Sequence, residues 1–185
     1  MTIGFSPRVI AFMVVSMFAV GHARQGPDIG LPVPPLGMGP FEFDTAEKQK
    51  IRVSVVTKGL SHPWSLVFLP DGSMLVTERP GRLRVIRNGV LDPTPISGVP
   101  RVRTDGNGGL MDIALHPRFA ENRLVYFTYT KPVDNGKGTP TLVRGRLERG
   151  ALAEVRDLLV PDAFDGNSGL NGSVLVTDGP SAGRI

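Results

Sequence analysis

The sequence predicts an all-β fold that corresponds to the N-terminal blades of a β-propeller. The strand-like runs 65–69, 74–78 and 83–87 are each followed by a turn sequence, Pro-Asp-Gly, Pro-Gly or Asn-Gly. Glycine after Asp or Asn supplies the positive φ that tight hairpins need, and proline sets φ at the first central position of a turn. A regular antiparallel meander of this kind is the unit of a propeller blade.

Two further observations favour the same fold. The segment DGSMLVTE, which begins at residue 71, is echoed by NGSVLVTD, which begins at residue 171. Propeller blades recur every ~40–50 residues, so this spacing suits the same strand two blades further on. Segments with a helical period are scarce, and only 151–159, which ends before Pro161, is a weak helix candidate.

Strand signals continue along the rest of the chain. Residues 51–56 alternate, 109–115 are largely apolar, 124–130 are rich in aromatic and β-branched residues, and 140–147 follow an Asp-Asn-Gly loop. Residues 51–185 would form about three blades of ~45 residues each. Because propellers close with about four to eight blades and open sheet edges invite aggregation, we expect this chain to be the front portion of a longer propeller.

Residues 1–23 are typical of a secretory signal peptide. Arg8 precedes the apolar run 9–20, and the small-residue segment 21–23 suits cleavage by a signal peptidase. The run is shorter than the ~20 residues that span a bilayer. A buried core segment is an alternative interpretation of the same run. We therefore expect an exported protein, periplasmic or secreted, with no transmembrane segment.

Residues 24–50 form a Pro/Gly-rich lead-in to the domain at 51–185. Their prolines and glycines show little alternation, which is typical of a flexible or polyproline-like segment. The chain has no cysteine, so it depends on no disulfide and can form no thiolate zinc site.

The net charge of +4 does not by itself indicate a nucleic-acid partner. The arginines between Arg79 and Arg103 alternate with apolar residues or lie beside turns, so we expect them on solvent faces. The carboxylates of Asp71, Glu78 and Asp112 lack the spacing of a calcium loop, and we expect them to form turns or solvent-face charges. No phosphate loop, nucleophile elbow or zinc motif is present, and we expect no nucleic-acid partner and no metal ligand here.

Four segments in unbroken order resemble the soluble PQQ-dependent aldose sugar dehydrogenases, also called the glucose/sorbosone dehydrogenase family. They are GLSHPWSLVFLPDGSMLVTERPGRLRVI from residue 59, ISGVP from 96, GGLMDIALHPRFAENRLVYFTYT from 108 and TLVRGRL from 141. The resemblance implies an exported six-bladed propeller that oxidises the anomeric carbon of aldose sugars to lactones. It also implies PQQ and calcium as cofactors, with ligands beyond residue 185, and an electron acceptor that the sequence does not identify.

The resemblance points to two substrate-binding candidates in one turn. Family members carry a glutamine near the substrate in a GQGGL-like turn, and the matching segment 106–110 has Asn107 in that place. The shorter amide of Asn107 can still hydrogen-bond a sugar hydroxyl, and the neighbouring Asp105 is the second candidate. Glycine-flanked Asn is also an ordinary turn residue, and this alternative stays open.

No catalytic residue is assigned, because the general-base histidine of the family is not found. His22 lies in the signal segment, and His62 and His116 belong to His-Pro pairs that match structural turns of the family. The two possible alignments of the tail put the histidine's place at Pro180 or within 165–170, and neither contains one. The sequence thus predicts the N-terminal part of an exported PQQ-dependent sugar dehydrogenase. A non-catalytic propeller binding module and an inactive truncated fragment of the same family are the alternatives.

Overall fold

The computed structural model describes Gly37 and residues 39–162 of the chain. The chain divides into two units, Met1–Gly37 and Met38–Ile185, and every element described below belongs to the second unit. The predicted signal peptide, His22, the tail windows of the missing histidine and the repeat that begins at residue 171 lie outside the described residues. Within the described part, no helix has the length and apolar character needed to cross a membrane.

The first sheet is a four-stranded antiparallel meander with the strands in chain order. It contains β3 (Pro63–Phe68), β4 (Met74–Glu78), β5 (Arg82–Arg87) and β6 (Val90–Leu91). A separate hairpin, β1 (Phe41–Asp44) and β2 (Lys50–Val53), precedes it and crosses the predicted boundary at residue 51. The predicted turns are present: Asn88 and Gly89 have φ of +51° and +76°, as a two-residue type I′ hairpin requires.

The second sheet is another antiparallel meander. It contains β7 (Leu110–Leu115), β8 (Leu124–Pro132), β9 (Gly138–Glu148) and β10 (Ala151–Leu159). A short helix, α1 (Phe119–Asn122), lies in the β7–β8 connection, and a 3-10 turn (Asp134–Gly136) lies in the β8–β9 connection. Two consecutive four-stranded meanders confirm the predicted all-β architecture of propeller blades.

The helix candidate at 151–159 is wrong, because this segment is strand β10. It pairs with β9 through a tight turn at Gly150, which has φ +75°. The register shifts between Ala153 and Arg156, and Glu154 has φ +49°. A β-bulge inserts an extra residue and interrupts the period-two alternation of a strand, so the segment lacks the pattern by which strands are recognised.

The main core lies between the two sheets, where the facing sides of both meanders are covered. Each fully buried aliphatic or phenyl side chain there stabilises the fold by about 1.5–3 kcal/mol. Polar groups also cross the interface: the Thr77 hydroxyl donates to the Met111 carbonyl oxygen at 2.6 Å, and the Ser65 hydroxyl donates to Asp112 Oδ1 at 2.7 Å. The buried core residues are Leu75, Leu83, Val85, Ile96, Leu110, Ile113, Phe119, Val125, Phe127, Tyr129, Val143 and Leu152.

The expectation that the charged residues between 78 and 103 lie on solvent faces is wrong for three of them. Glu78, Arg84 and Arg103 are buried. Glu78 Oε2 lies 2.6 Å from Arg82 Nε and 3.5 Å from Arg84 Nη1, and Glu78 Oε1 accepts a hydrogen bond from the Ser61 amide. For Glu78 and Arg84, alternation fails as a guide because strands β4 and β5 are buried on both faces, so a side chain that points away from the core is still buried.

Asp71 and Asp112 have different roles. Asp71 forms a turn as expected, since its Oδ1 accepts hydrogen bonds from the Ser73 amide at 2.9 Å and the Ser73 hydroxyl at 2.6 Å. Asp112 is half-buried rather than on a solvent face, because the Ser65 hydroxyl of β3 donates a hydrogen bond to it across the contact between β3 and β7.

The connections of the two meanders collect at two ends. We call the upper end the segment before β3 together with residues 79–81, 101–109 and 133–137. The lower end consists of residues 69–73, 88–89, 116–123 and 149–150. The upper end contains both predicted substrate-binding residues.

Candidate functional site

Asn107 lies at the tip of an exposed turn at the upper end, shortly before β7, the first strand of the second sheet. The turn is closed by a hydrogen bond from the Gly108 amide to the Asp105 carbonyl oxygen at 3.1 Å, and Gly106 has φ +58°. Asn107 and Asp105 are both exposed, so their side chains are accessible to a ligand. The structure therefore brings both predicted residues into one turn.

Arg79 holds this turn in place. Its Nη1 donates to the carbonyl oxygens of Gly106 at 2.7 Å, Thr104 at 3.2 Å and Gly108 at 3.4 Å. The carbonyl oxygen of Arg79 also accepts the Leu110 amide at 3.0 Å. Arg79, in the turn between β4 and β5, thus fixes the backbone that presents Asn107.

The alternation of the sequence predicts a solvent face for Arg79, so it does not indicate that this residue holds the turn. A usable signal was the pair Gly108-Gly109. A Cβ on Gly109 would lie 2.6 Å from the Arg79 carbonyl oxygen, and one on Gly108 would lie 2.9 Å from Thr130 Oγ1. Consecutive glycines without a strand role indicate that another part of the backbone approaches closely.

Asp105 lies at the border between the turn and a neighbouring cleft. Its Oδ2 is 3.4 Å from Nε of Arg103, and three quarters of its side chain is exposed. Nε of Arg103 also donates to the Gly136 carbonyl oxygen at 2.9 Å, so Arg103 connects the 92–109 segment to the β8–β9 connection. Asp105 therefore faces a positively charged neighbour, whereas Asn107 faces solvent.

The two described histidines lie at opposite ends of the molecule. His62 directly precedes β3 at the upper end and is exposed, with φ +48°. Its Nδ1 is 3.2 Å from the Ser61 hydroxyl, and its carbonyl oxygen accepts the Arg79 amide at 2.9 Å. His62 is thus attached to the same arginine backbone that supports the Asn107 turn.

His116 belongs to the lower end and acts as a turn residue. Its Nδ1 accepts the Arg118 amide at 3.0 Å and lies 2.9 Å from Asn122 Nδ2, and its ring stacks on Tyr126. These contacts hold the imidazole against the β7–β8 connection. His116 cannot reach a ligand at the Asn107 turn, which lies at the other end of the sheets.

Within residues 39–162, no group of three or more His, Asp or Glu side chains is arranged so that it could hold a metal ion. The buried carboxylate Glu78 is engaged by Arg82, Arg84 and the Ser61 amide, so it supports the upper end rather than offering a ligand. The groups at this end that could meet a ligand include the Asn107 amide, the Asp105 carboxylate and the His62 imidazole.

The architecture defines a class: the antiparallel blades of a β-propeller, with Asn107 and Asp105 exposed on the connection before β7. Residues 60–181 match the family model described as Glucose / Sorbosone dehydrogenase. The chain belongs to this family of PQQ-dependent dehydrogenases, which confirms the resemblance found in the sequence.

Similar proteins, compared by sequence and by structure, agree with this assignment. The chain is 43% identical to aldose sugar dehydrogenase YliI of Escherichia coli (strain K12) over 98 residues, which cover 52% of this chain and 26% of the relative. The structure of the soluble aldose sugar dehydrogenase from Escherichia coli in the apo-form has a TM-score of 0.63 and 36% identity, over 68% of this chain and 37% of that one. The PQQ-bound aldose sugar dehydrogenase from Streptomyces coelicolor has a TM-score of 0.52 and 28% identity, over 59% and 33%.

The chain spans about a quarter of the length of the curated relatives it matches, 24% and 26%. The activity, substrates and partners of the whole protein are therefore matters of proposal.

Proposed function

We propose that this protein is an exported, PQQ-dependent dehydrogenase that oxidises the anomeric carbon of aldose sugars to lactones. The observation that carries the proposal is the exposed Asn107 turn, which Arg79 fixes at the upper end. A rigid, exposed amide next to a carboxylate suits hydrogen bonding to sugar hydroxyls, and the relatives named above are aldose sugar dehydrogenases.

The proposed reaction is a two-electron oxidation of the sugar. The anomeric C–H bond breaks with loss of a hydride, the anomeric hydroxyl loses its proton to a base, and the C=O bond of the lactone forms. Bound PQQ would supply the electron acceptor, with calcium as its Lewis acid. The described residues do not fit a calcium ion, because they contain no cluster of His, Asp or Glu side chains suited to a metal. We therefore assign to this region only the binding of the sugar.

The base in this proposal needs a titratable group within reach of a sugar at the Asn107 turn. His62 is the described histidine at that end, and the Ser61 hydroxyl beside Nδ1 leaves Nε2 for a ligand. His116 is excluded by its position and by its hydrogen bonds to the turn at 116–122. His62 is accordingly the group to test in this role.

The experiment uses the protein as its gene encodes it, reconstituted with PQQ and calcium and assayed by reduction of an artificial dye. We expect dye reduction with one or more aldoses and none without PQQ. Asn107→Ala should raise KM several-fold with a smaller effect on kcat, because a lost neutral hydrogen bond costs about 0.5–1.5 kcal/mol. If no aldose of a panel of hexoses, pentoses and disaccharides is oxidised, the proposal is wrong.

Export is a separate part of the proposal and has its own test. The signal-like pattern of residues 1–23 supports it. We expect the protein from a bacterial host to be recovered from the periplasm with a new N-terminus after Ala23, as determined by N-terminal sequencing. Recovery from the cytoplasm with Met1 intact would contradict it.

A non-catalytic sugar-binding propeller is the second candidate, and one observation favours it. The chain lacks a histidine at both places where the family's general base is expected, Pro180 and residues 165–170. Sugar binding measured by calorimetry, together with the absence of PQQ-dependent dye reduction, would favour this candidate over the enzyme.

A further inference from the structure

A cleft of about 430 Å³ lies beside the Asn107 turn at the upper end. It separates residues 101–105, which lead into β7, from the connection between β8 and β9. Its volume falls within the usual range for small-molecule sites, about 300–1,000 Å³. The polar and charged side chains that line it are Arg101, Arg103, Thr104, Asp105 and Lys137.

The charge of this cleft is positive. Arg101, Arg103 and Lys137 contribute three cations, and Asp105 contributes one carboxylate. Arg101 and Lys137 are exposed at opposite walls, whereas Asp105 extends into solvent with three quarters of its side chain exposed. Such a concave site of one predominant sign raises the local concentration of an anion.

Arg103 is a fixed element of the cleft. Its side chain is only 7% exposed, and its Nε donates to the Gly136 carbonyl oxygen at 2.9 Å. Its amide donates to the Thr130 carbonyl oxygen at 2.9 Å, and a Cβ on Gly138 would lie 2.9 Å from Arg103 Cδ. The glycine thus makes room for a guanidinium whose position both neighbouring segments determine. A preorganised, planar guanidinium suits an oxyanion such as a carboxylate or a phosphate.

The cleft and the Asn107 turn are continuous, because Asp105 borders both. A sugar whose hydroxyls meet Asn107 would therefore direct a substituent towards Arg101 and Lys137. A neutral substituent would leave these cations unpaired with the ligand, whereas an anionic substituent would complement them.

We propose that the cleft binds the anionic substituent of an acidic sugar, a carboxylate or a phosphate, so that acidic aldoses are the preferred substrate class. This inference rests on the proposed function for the role of the Asn107 turn. It adds a binding subsite, built from Arg101, Arg103 and Lys137, that the similarity to aldose dehydrogenases does not imply.

The test is direct binding, measured by titration calorimetry on the full protein without any assay of oxidation. The probes are glucose, glucuronate, glucose 6-phosphate and inorganic phosphate. We expect glucuronate or glucose 6-phosphate to bind roughly tenfold more tightly than glucose at low salt, as a charge-assisted hydrogen bond would produce. The preference should decrease as salt is raised, because the outer cations are exposed.

The test variant is the double substitution Arg101→Gln and Lys137→Gln. Both residues are exposed, so the buried Arg103 and the fold stay in place. We expect the double variant to lose the preference for the acidic sugars and to keep its affinity for glucose. Arg87→Gln, an exposed arginine at the lower end, is the matched control and should change neither affinity.

Equal affinities for glucose and both acidic sugars would overturn the inference, and so would a preference that survives in the double variant. Inorganic phosphate bound as tightly as glucose 6-phosphate would also overturn it, because the cleft would then recognise a free anion. Oxidation of neutral aldoses without any acidic preference would leave the proposed function intact and refute only this inference. Tight binding of acidic sugars without oxidation would support the inference and refute the enzyme.

Discussion

The two ends of the sheets differ in how their connections are held. At the lower end, the turns are stabilised mainly by their own residues, as in the hydrogen bonds from Ser73 to Asp71 and from Arg118 to His116, with a further hydrogen bond from Arg146 to the Asn122 carbonyl oxygen. At the upper end, the connections are held by side chains from distant parts of the chain, with Arg79 on the turn at 104–108 and Arg103 on Gly136. The difference indicates that the upper end is shaped to present groups, while the lower end closes hairpins.

The buried carboxylate at the upper end should give the largest effect. Glu78→Ala removes the partner of Arg82 and Arg84 and the acceptor of the Ser61 amide. Breaking a buried ion pair by removing one partner costs about 3–5 kcal/mol of unfolding free energy. Chemical denaturation measures this loss.

The matched variant for Glu78 is Arg87→Gln, which breaks the exposed ion pair of Arg87 with Asp92 at the lower-end hairpin. An exposed pair contributes about 0–1 kcal/mol, so this variant should unfold almost like the wild type. Equal losses in the two variants would show that the two ends do not differ in this respect.

The two histidines provide the next test. If His62 is the base, His62→Gln should reduce kcat by about 10²-fold or more with an unchanged melting temperature, because general-base catalysis contributes that much. The pH–rate profile should lose the limb that belongs to the base. Kinetics of the reconstituted enzyme measure both.

His116→Gln is the control, since it removes hydrogen bonds only within the lower-end turn. It should lower the unfolding free energy by about 1 kcal/mol and leave kcat unchanged. Full activity in the His62 variant would remove His62 from the mechanism.

Arg79→Lys should give a smaller, specific effect on sugar binding. Lysine keeps the charge, but its shorter, non-planar end does not hold a donor nitrogen where Nη1 of Arg79 contacts three carbonyl oxygens of the Asn107 turn. We expect KM to rise by roughly tenfold with a smaller change in kcat, and amide hydrogen exchange at 104–109 to accelerate. Unchanged exchange in this turn would contradict the role of Arg79, and Arg87→Lys serves as the control.

The smallest effect concerns pH at the lower end. Hydrogen bonds from Ser73 lower the pKa of Asp71 from its ordinary value of 3.8. The folded pKa is therefore below the unfolded one, so this contribution is present above the unfolded value and is lost as pH falls through the folded one. We expect Asp71→Asn to reduce stability slightly at pH 6 and hardly at all near pH 2.

Ser73→Ala removes part of the same interaction, so the double variant with Asp71→Asn should lose less than the sum of the two single losses. Additive losses, measured by denaturation at pH 6, would contradict the local turn described here.

Much of the scaffold could be predicted from the sequence, and the reason is local. Gly72, Asn88 and Gly89 take the positive φ values that their turns need, and the runs between them pair as the meander requires. Strand β10 could not be predicted, because its bulge near Glu154 breaks the alternation. Of the candidate site, Asn107 and Asp105 follow from the family motif. Arg79 does not, since its contacts join residues far apart in the chain, and the pair Gly108-Gly109 indicates only that some other backbone approaches closely.

The sequence by itself determined most of the strands, the lower-end turns and the family. These depend on neighbouring residues, whose φ preferences and alternation are independent of the rest of the chain. Only the tertiary structure decided which charges are buried, because Glu78 and Arg84 lie in strands β4 and β5, which are buried on both faces. It also decided what surrounds Asn107: the packing of one meander on the other brings Arg79 onto its turn and places Arg103 beside Asp105.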